Sequence, residues 1–257
     1  MTQHFPSPQL RFFMTADAPC PYIEGQVERK IFTNLQHSSG PDVNDALSNM
    51  GFRRSQNIAY RPACQSCQAC LSVRIPVGQF QFSRSQRKIL NRNNDLSRSL
   101  VEAEATLEQF DLLQRYLFSR HANGGMAGMG LSDYVCMVED TAVRTHLIEY
   151  RLPGADNGPG DLVGVCLTDL LADGLSMVYS FFDPDLERRS LGQFAILDHL
   201  RQSAQVGLPY LYLGYWVQGS PKMDYKARYR PMEALGGTGW YRLPNPQERG
   251  TEVAGEA

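Results

Sequence analysis

The feature that most constrains this chain is one unbroken order of elements between residues 161 and 217. DLVGVCLTDLL (161–171) and LSMVYSFF (175–182) are strand-like stretches separated by Ala172-Asp173-Gly174, which predicts a β-hairpin. DPDLERRSLG (183–192) is a charged turn that leads into the helix QFAILDHLRQSAQVG (193–207). LPYLYLGYWV (208–217) then reads as a buried strand. Hairpin, turn, helix and strand in that order define an α+β unit. The turn Arg188-Arg189-Ser190-Leu191-Gly192 precedes the helix N-terminus, where free backbone N–H groups and the helix dipole attract anions.

Around this unit the chain divides into three parts. Residues 1–100 form a cysteine-containing, basic N-terminal region, 101–243 carry the hairpin–helix–strand unit, and 244–257 are a polar tail. At 257 residues the chain suits one large domain or two small ones. With 42% apolar and 20% charged residues it is neither collagen-like nor disordered. No apolar run approaches the 18 or more residues of a membrane helix, and MTQHFPSPQL lacks the pattern of a signal peptide. A soluble cytoplasmic protein is expected. DVNDALSNMG (42–51) fits a helix capped by Asp42 and ended by Gly51, and LSVRIPV (71–77) alternates as a strand. TLEQFDLLQRYLFSRH (106–121) fits an amphipathic helix burying Leu107, Phe110, Leu113, Leu117 and Phe118. THLIEYRL (145–152) reads as a strand. The Gly-rich stretch 121–130 lacks the Lys-Ser/Thr ending of a nucleotide loop, so no phosphate role is expected there.

The net charge is only −2, but it is uneven. Residues 51–98 hold nine Lys/Arg and one acid, a local +8, which points to a polyanionic partner rather than a merely solvated face. SRSQRKILNRNNDL (83–96) predicts a helix whose Arg84, Arg87, Lys88 and Arg92 share a face and suit a phosphate backbone. Cys64, Cys67 and Cys70 lie at two overlapping C-x-x-C spacings, with Cys20 upstream. Four thiolates there would suit Zn²⁺ or an iron–sulfur cluster; plain thiols are the alternative, and both stay open. Cys136 and Cys166 sit in apolar contexts and are expected in the core. A second cationic segment follows the last strand. Between Ser220 and Arg230, Lys222, Lys226, Arg228 and Arg230 face one acid, Asp224, with Tyr225 and Tyr229 interleaved. Cations alternating with aromatic rings suit a single-stranded nucleic-acid end.

The order of elements between 161 and 217 resembles the central part of the GNAT acyltransferase fold. The box K-M-x-Y-K-x-x-Y-x-P at 222–231 further resembles the C-terminal signature of the arginyl-tRNA–protein transferase family. The resemblance extends to Cys20-Pro21-Tyr22-Ile23, Gly51-Phe52-Arg53-Arg54-Ser55, Tyr60-Arg61-Pro62-Ala63-Cys64, Ser83-Arg84-Ser85-Gln86-Arg87 and Arg189-Ser190-Leu191-Gly192, so it spans roughly residues 11–243. The chain's length and its C-x-x-C-x-x-C pattern look most like the bacterial branch, the aspartate/glutamate leucyltransferases. Ser220 stands where many relatives carry Cys, which weakens the case for an essential thiol there.

That resemblance implies a fold in which a cysteine-containing N-terminal region packs on a GNAT-like domain. It implies transfer of leucine from leucyl-tRNA to the α-amino group of proteins beginning with Asp or Glu, which commits them to N-degron proteolysis. The alternatives are arginyl transfer, acetyl-CoA-dependent N-acetylation, leucyl/phenylalanyl transfer to N-terminal Lys or Arg, or a nonenzymatic RNA-binding or iron–sulfur sensor. An aminoacyl ester is already activated, so no cofactor is required and no covalent nucleophile is needed. The residues expected to act are Tyr179, Asp183 or Asp224 as base, and Arg53, Arg54, Arg74 or Arg189 for the acidic acceptor residue. For the tRNA they are Arg84, Arg87, Lys88, Arg92, Lys222, Tyr225, Lys226, Arg228 and Tyr229.

Overall fold

A computed structural model of the chain describes residues 10–37, 39–120, 126, 128–155 and 158–244. An eight-stranded mixed sheet forms its centre. In chain order the strands are β1 (Phe13–Met14), β2 (Ala18–Pro19), β3 (Val27–Glu28), β4 (Lys30–Asn34), β5 (Arg53–Ser55), β6 (Ile58–Pro62), β7 (Cys70–Pro76), β8 (Ser97–Glu102), β9 (Thr145–Pro153), β10 (Pro159–Leu171), β11 (Gly174–Phe182), β12 (Tyr210–Val217), β13 (Glu233–Gly236) and β14 (Gly239–Arg242). The helices are α1 (Gly40–Asn49), α2 (Arg84–Arg92), α3 (Leu107–Arg120), α4 (Leu131–Glu139) and α5 (Leu191–Gln205).

The central sheet runs β14-β13-β7-β12-β11-β10-β9-β8. Every neighbouring pair is antiparallel except β11 and β12, which the α5 crossover makes parallel. The expected hairpin is present, with Ala172 and Asp173 as its loop. Gly174 has no side chain for a reason: a Cβ there would lie 2.3 Å from the Tyr210 carbonyl of the parallel strand. Two strands from before residue 101, β7 and β8, join this sheet, so the division expected near residue 100 runs through shared hydrogen bonds. A smaller sheet, β1-β4-β6-β5, and the pair β2-β3 carry the N-terminal region.

Both faces of the central sheet are covered, which explains why its strands read as continuous apolar runs. Ile148, Val163 and Cys166 face the core with Phe194, Leu197 and Leu200 of α5. Their neighbours Leu147, Leu162, Val165 and Leu167 face Leu112, Leu113 and Leu117 of α3 and Tyr134 and Val138 of α4. Leu35, Leu47, Phe52 and Ala59 make a third, small cluster under α1.

Several local expectations need correction. α3 forms, but Leu107 and Phe118 are exposed; at 3.6 residues per turn they share the side opposite Leu112 and Leu113. Cys166 is buried, whereas Cys136 is exposed, because α4 buries Tyr134 and Val138 at i and i+4 and turns Cys136 outward. α4 itself, and strands β4, β5, β6, β8, β13 and β14, are not predicted by sequence pattern. α1 begins at Gly40 after Ser39, so Asp42 lies in its first turn and makes no side-chain cap. Much of the 121–130 loop, and the tail beyond 244, lie outside the described residues.

One buried histidine sets a pH limit on the fold. His199 of α5 holds Ala195 O at 2.7 Å through Nδ1 and Thr168 Oγ1 at 2.9 Å through Nε2. Burial pushes its pKa down to about 4 from 6.5. The unfolded chain therefore takes up this proton before the folded one does, and stability falls as pH drops from about 6.5 towards about 4. Urea unfolding should lose at most ~1.4 kcal/mol per pH unit from this group in that window. The loss should be absent in His199→Gln, which has no imidazole to titrate.

Candidate functional site

The site grows out of the way β11 and β12 part. They pair only at Gly174–Tyr210, Leu175–Leu211 and Ser176–Tyr212. Beyond Ser176 the two strands diverge, and carbonyls that a parallel ladder would have paired are left facing a slot. Two cations fill that need. Arg53, from β5 of the N-terminal sheet, donates from Nη1 to Leu213 O at 3.2 Å and from Nη2 to Met177 O at 2.9 Å and Val178 O at 3.3 Å. Lys226 donates from Nζ to Leu213 O at 2.8 Å and Tyr215 O at 2.6 Å. Neither is paired with a carboxylate among the described residues. Burial, with Arg53 adding to it, drives the Lys226 pKa well below the usual lysine value.

The 222–231 box is built on a short 3₁₀ turn, Asp224–Arg228. In that geometry residues three apart share a face. Met223 packs on the core, and Lys226 and Tyr229 are buried, while Lys222, Tyr225 and Arg228 point outward. The box thus divides the residues expected to meet tRNA. Lys226 and Tyr229 are interior, and the Tyr229 hydroxyl finds no partner among the described residues. Lys222 is exposed and donates to Pro21 O at 3.1 Å, tying the box to the N-terminal loop. A period of three across Met223, Lys226 and Tyr229 is the signal in the sequence that marks this division.

The three residues expected as base lie around the slot's end of the sheet but in different states. Burial raises the Tyr179 pKa far above the ordinary phenol, so it remains a donor at neutral pH. Asp183 caps the turn before α5 through Asp185 N and is held by Arg115 at 2.9 Å. Asp224 is exposed at the start of the 3₁₀ turn. The four arginines expected at the acceptor residue also separate. Arg54 forms a buried two-pronged pair with Asp169, at 2.6 and 2.7 Å. Arg74 bonds Glu233 at 2.8 Å and lies between the rings of Tyr210 and Trp240. Arg189 grips Asp95 at 2.7 and 2.8 Å. Arg53 alone of the four stands at the slot.

Beside the slot lies a cavity of about 400 Å³. Cys20, Cys64, Cys67 and Cys70 line it together with Tyr22, Tyr60 and Tyr215. Burial first, then the neighbouring thiols, push the Cys70 pKa up to about 11. The four cysteines line one cavity, but among the described residues no three His, Cys, Asp or Glu side chains are grouped to hold a metal ion. As arranged, they do not fit a zinc ion or an iron–sulfur cluster. Tyr215 links cavity and slot: its hydroxyl, with one proton to give, lies between Gly51 O at 2.9 Å and Tyr60 O at 3.0 Å.

The basic helix α2 starts with a full capping box between Ser83 and Gln86 and packs Ile89 and Leu90 against the main core. Its opposite face presents Arg84, Arg87, Lys88 and Arg92, all exposed. Arg87 and Arg92 reach backbone carbonyls of Phe82 and Arg188, and none of the four is ion-paired among the described residues.

A parallel strand pair that parts beside a crossover helix is the architecture of the GNAT-like acyltransferase fold. The solved structure of L-PGS from Bacillus licheniformis shares this fold, with a TM-score of 0.50, 10% identity, and coverage of 70% of this chain and 61% of that one. The sequence pattern "Arginine-tRNA-protein transferase, C terminus" matches residues 108–236, and its N-terminal counterpart matches 18–88. The chain belongs to the arginine-tRNA–protein transferase family. Proteins named aspartate/glutamate leucyltransferase are 65% identical to it: one from Phenylobacterium zucineum over 93% of both chains, and one from Caulobacter vibrioides over 97% of this chain and 89% of that one. No helix among the described residues is long and apolar enough to cross a membrane.

The Arg54–Asp169 pair yields a first test of these placements. Each side chain is only 1% exposed, and Asp169 also accepts from Thr145 Oγ1 at 2.8 Å. Arg54→Ala should leave a buried carboxylate unpaired and lower unfolding free energy by about 3–5 kcal/mol in urea. An equally stable variant with lost activity would return Arg54 to the substrate site.

Proposed function

We propose that this chain moves leucine from leucyl-tRNA to the α-amino group of proteins that begin with Asp or Glu. The observation that carries the reading is the slot. Arg53 and Lys226 sit there side by side on backbone carbonyls, with no carboxylate partner among the described residues, so the slot favours the negative charge that develops on the ester during acyl transfer. The relatives' shared name supports leucine as the group carried and Asp or Glu as the acceptor. Because the donor is a charged tRNA, the setting proposed is the cytoplasm.

The chemistry asks little of the protein beyond position. The acceptor's α-amine, with an ordinary pKa of about 7.7–8.0, is partly neutral at cell pH. It attacks the leucyl ester carbonyl, the new C–N bond forms, and the C–O bond to the terminal ribose breaks. The amine's proton leaves to a base, and the ribose oxygen regains one. Holding amine and ester together supplies ~7–11 kcal/mol of the barrier. Tyr179, held protonated by burial, suits donation to the developing oxyanion. Of the two candidate carboxylates, Asp183 is engaged by Arg115, and we assign the proton acceptor's role to Asp224. The transfer so written needs no metal or other cofactor.

In this reading the exposed face of α2 follows the tRNA backbone, with the outward Lys222, Tyr225 and Arg228 at the acceptor end. Radiolabelled leucyl-tRNA or arginyl-tRNA, incubated with peptides beginning Asp, Glu, Lys or Arg, tests the whole proposal. Leucine should pass to the Asp and Glu peptides alone. Arginine passing instead would move the donor, and no transfer with any pair by folded protein would overturn the reading. Arg84→Glu with Lys88→Glu should weaken tRNA binding. It should also flatten the salt dependence, by about 0.7–0.9 log unit for each phosphate the helix no longer neutralises. Peptide KM should not change in that variant. Asp224→Asn should lower kcat by about 10²-fold or more if the carboxylate takes the proton.

A further inference from the structure

Arg53 belongs to the N-terminal sheet, yet its guanidinium lies inside the central one. Three features, two of them parts of one β-bulge at Gly214, make room for it there. The β11–β12 ladder stops at Ser176–Tyr212, just before the Met177, Val178 and Leu213 carbonyls that Arg53 bonds. β12 shifts register against β7 between Tyr212 and Gly214, at the same level. Gly214 has φ +71°, and a Cβ built on it would lie 1.2 Å from Arg53 Nη1. A planar fork with five donors can serve carbonyls on two strands at once; an ammonium, a point charge on a flexible stem, cannot hold both edges in one plane. With no carboxylate partner among the described residues, an ion pair does not account for this side chain. Lys226 meets Leu213 O from the other side and continues the bonding to Tyr215 O.

We propose that Arg53 is a positioning residue for acyl transfer: its guanidinium is a wedge that fixes how far β11 and β12 stand apart, and so sets the alignment of ester and amine across the slot. The N-terminal unit thereby governs the geometry of the transferase sheet through one side chain. This rests on the slot being the place of transfer, not on which amino acid is carried. Gly214 is the complementary half of the device, kept without a side chain so that the wedge can seat.

The test compares Arg53→Ala, Arg53→Lys and Gly214→Ala in the full chain. Each is first checked by circular dichroism and thermal melting for a folded state. In leucyl transfer to an Asp peptide, Arg53→Ala should lose kcat by 100-fold or more, while KM for peptide and for leucyl-tRNA moves by less than threefold. Free guanidinium at tens of millimolar should return at least tenfold of that loss, and methylammonium should not. Arg53→Lys should be no better than Arg53→Ala. Gly214→Ala, which leaves Arg53 in place chemically but displaces its fork, should show the same kcat loss without guanidinium rescue. Hydrogen exchange of backbone amides at 176–179 and 212–215 should quicken in all three variants and slow again in Arg53→Ala with guanidinium. This arm needs no substrate, so it judges the wedge even where the acyl-donor assignment fails. A raised peptide KM with kcat intact would overturn the proposal in favour of a direct grip on the acceptor. Unchanged exchange, or a folded Arg53→Ala that guanidinium does not rescue, would overturn it as well.

Discussion

Two parallel strands that part after three residue pairs expose backbone carbonyls, and the rest of this molecule is arranged around supplying them with donors. Water in the gap would satisfy the carbonyls but leave the strands free to move. Here the donors are side chains anchored elsewhere. Arg53 arrives from a different sheet and bonds both strands, and Lys226, from the turn that follows β12, adds bonds to β12. Buried positive charge is the consequence. Desolvation disfavours it, and proximity of the two cations disfavours it further, which is seen in the lowered Lys226 pKa.

The N-terminal region acts as more than an appendage. It contributes β7 to the middle of the central sheet, Arg53 to the slot, and one wall of the thiol- and tyrosine-lined cavity. Tyr215 joins these parts by bonding from β12 to carbonyls of Gly51 and Tyr60. Lys222 adds a bond from the cationic box to Pro21. The cavity and the slot are therefore neighbours that share strand β12.

The hairpin, the α5 crossover and β12 were legible because each is long and apolar, and their order admits few arrangements. α2 was legible from the three- and four-residue spacing of Arg84, Arg87, Lys88 and Arg92. The short strands β4, β5 and β6 were not, since each is half-buried and gains its stability from partners rather than from its own pattern. Among site residues, charge type was readable but charge environment was not. Arg54 and Arg53 are adjacent on β5, so they point to opposite faces. One meets Asp169 in the interior and the other meets the open strand edges. No local feature of the sequence says which. Lys226 looked like part of a nucleic-acid surface because cations usually are, and only the 3₁₀ spacing of Met223, Lys226 and Tyr229 marks it as interior. The cysteines illustrate the converse: all four line one cavity, but spacing along the chain does not fix how they stand to one another there.

The place of β7 has a consequence for how the molecule comes into being. Cys70–Pro76 lies between β12 and β13, with Val217 opposite Cys70 and Glu233 opposite Arg74. On the ribosome this strand emerges long before either partner, as an apolar segment with two open edges. The hairpin and its helices are local and form early, while closure of the sheet over β7 waits for the last strands of the chain. The slot, its wedge and the cationic turn all depend on that final closure. Catalytic competence is therefore among the last properties this chain acquires.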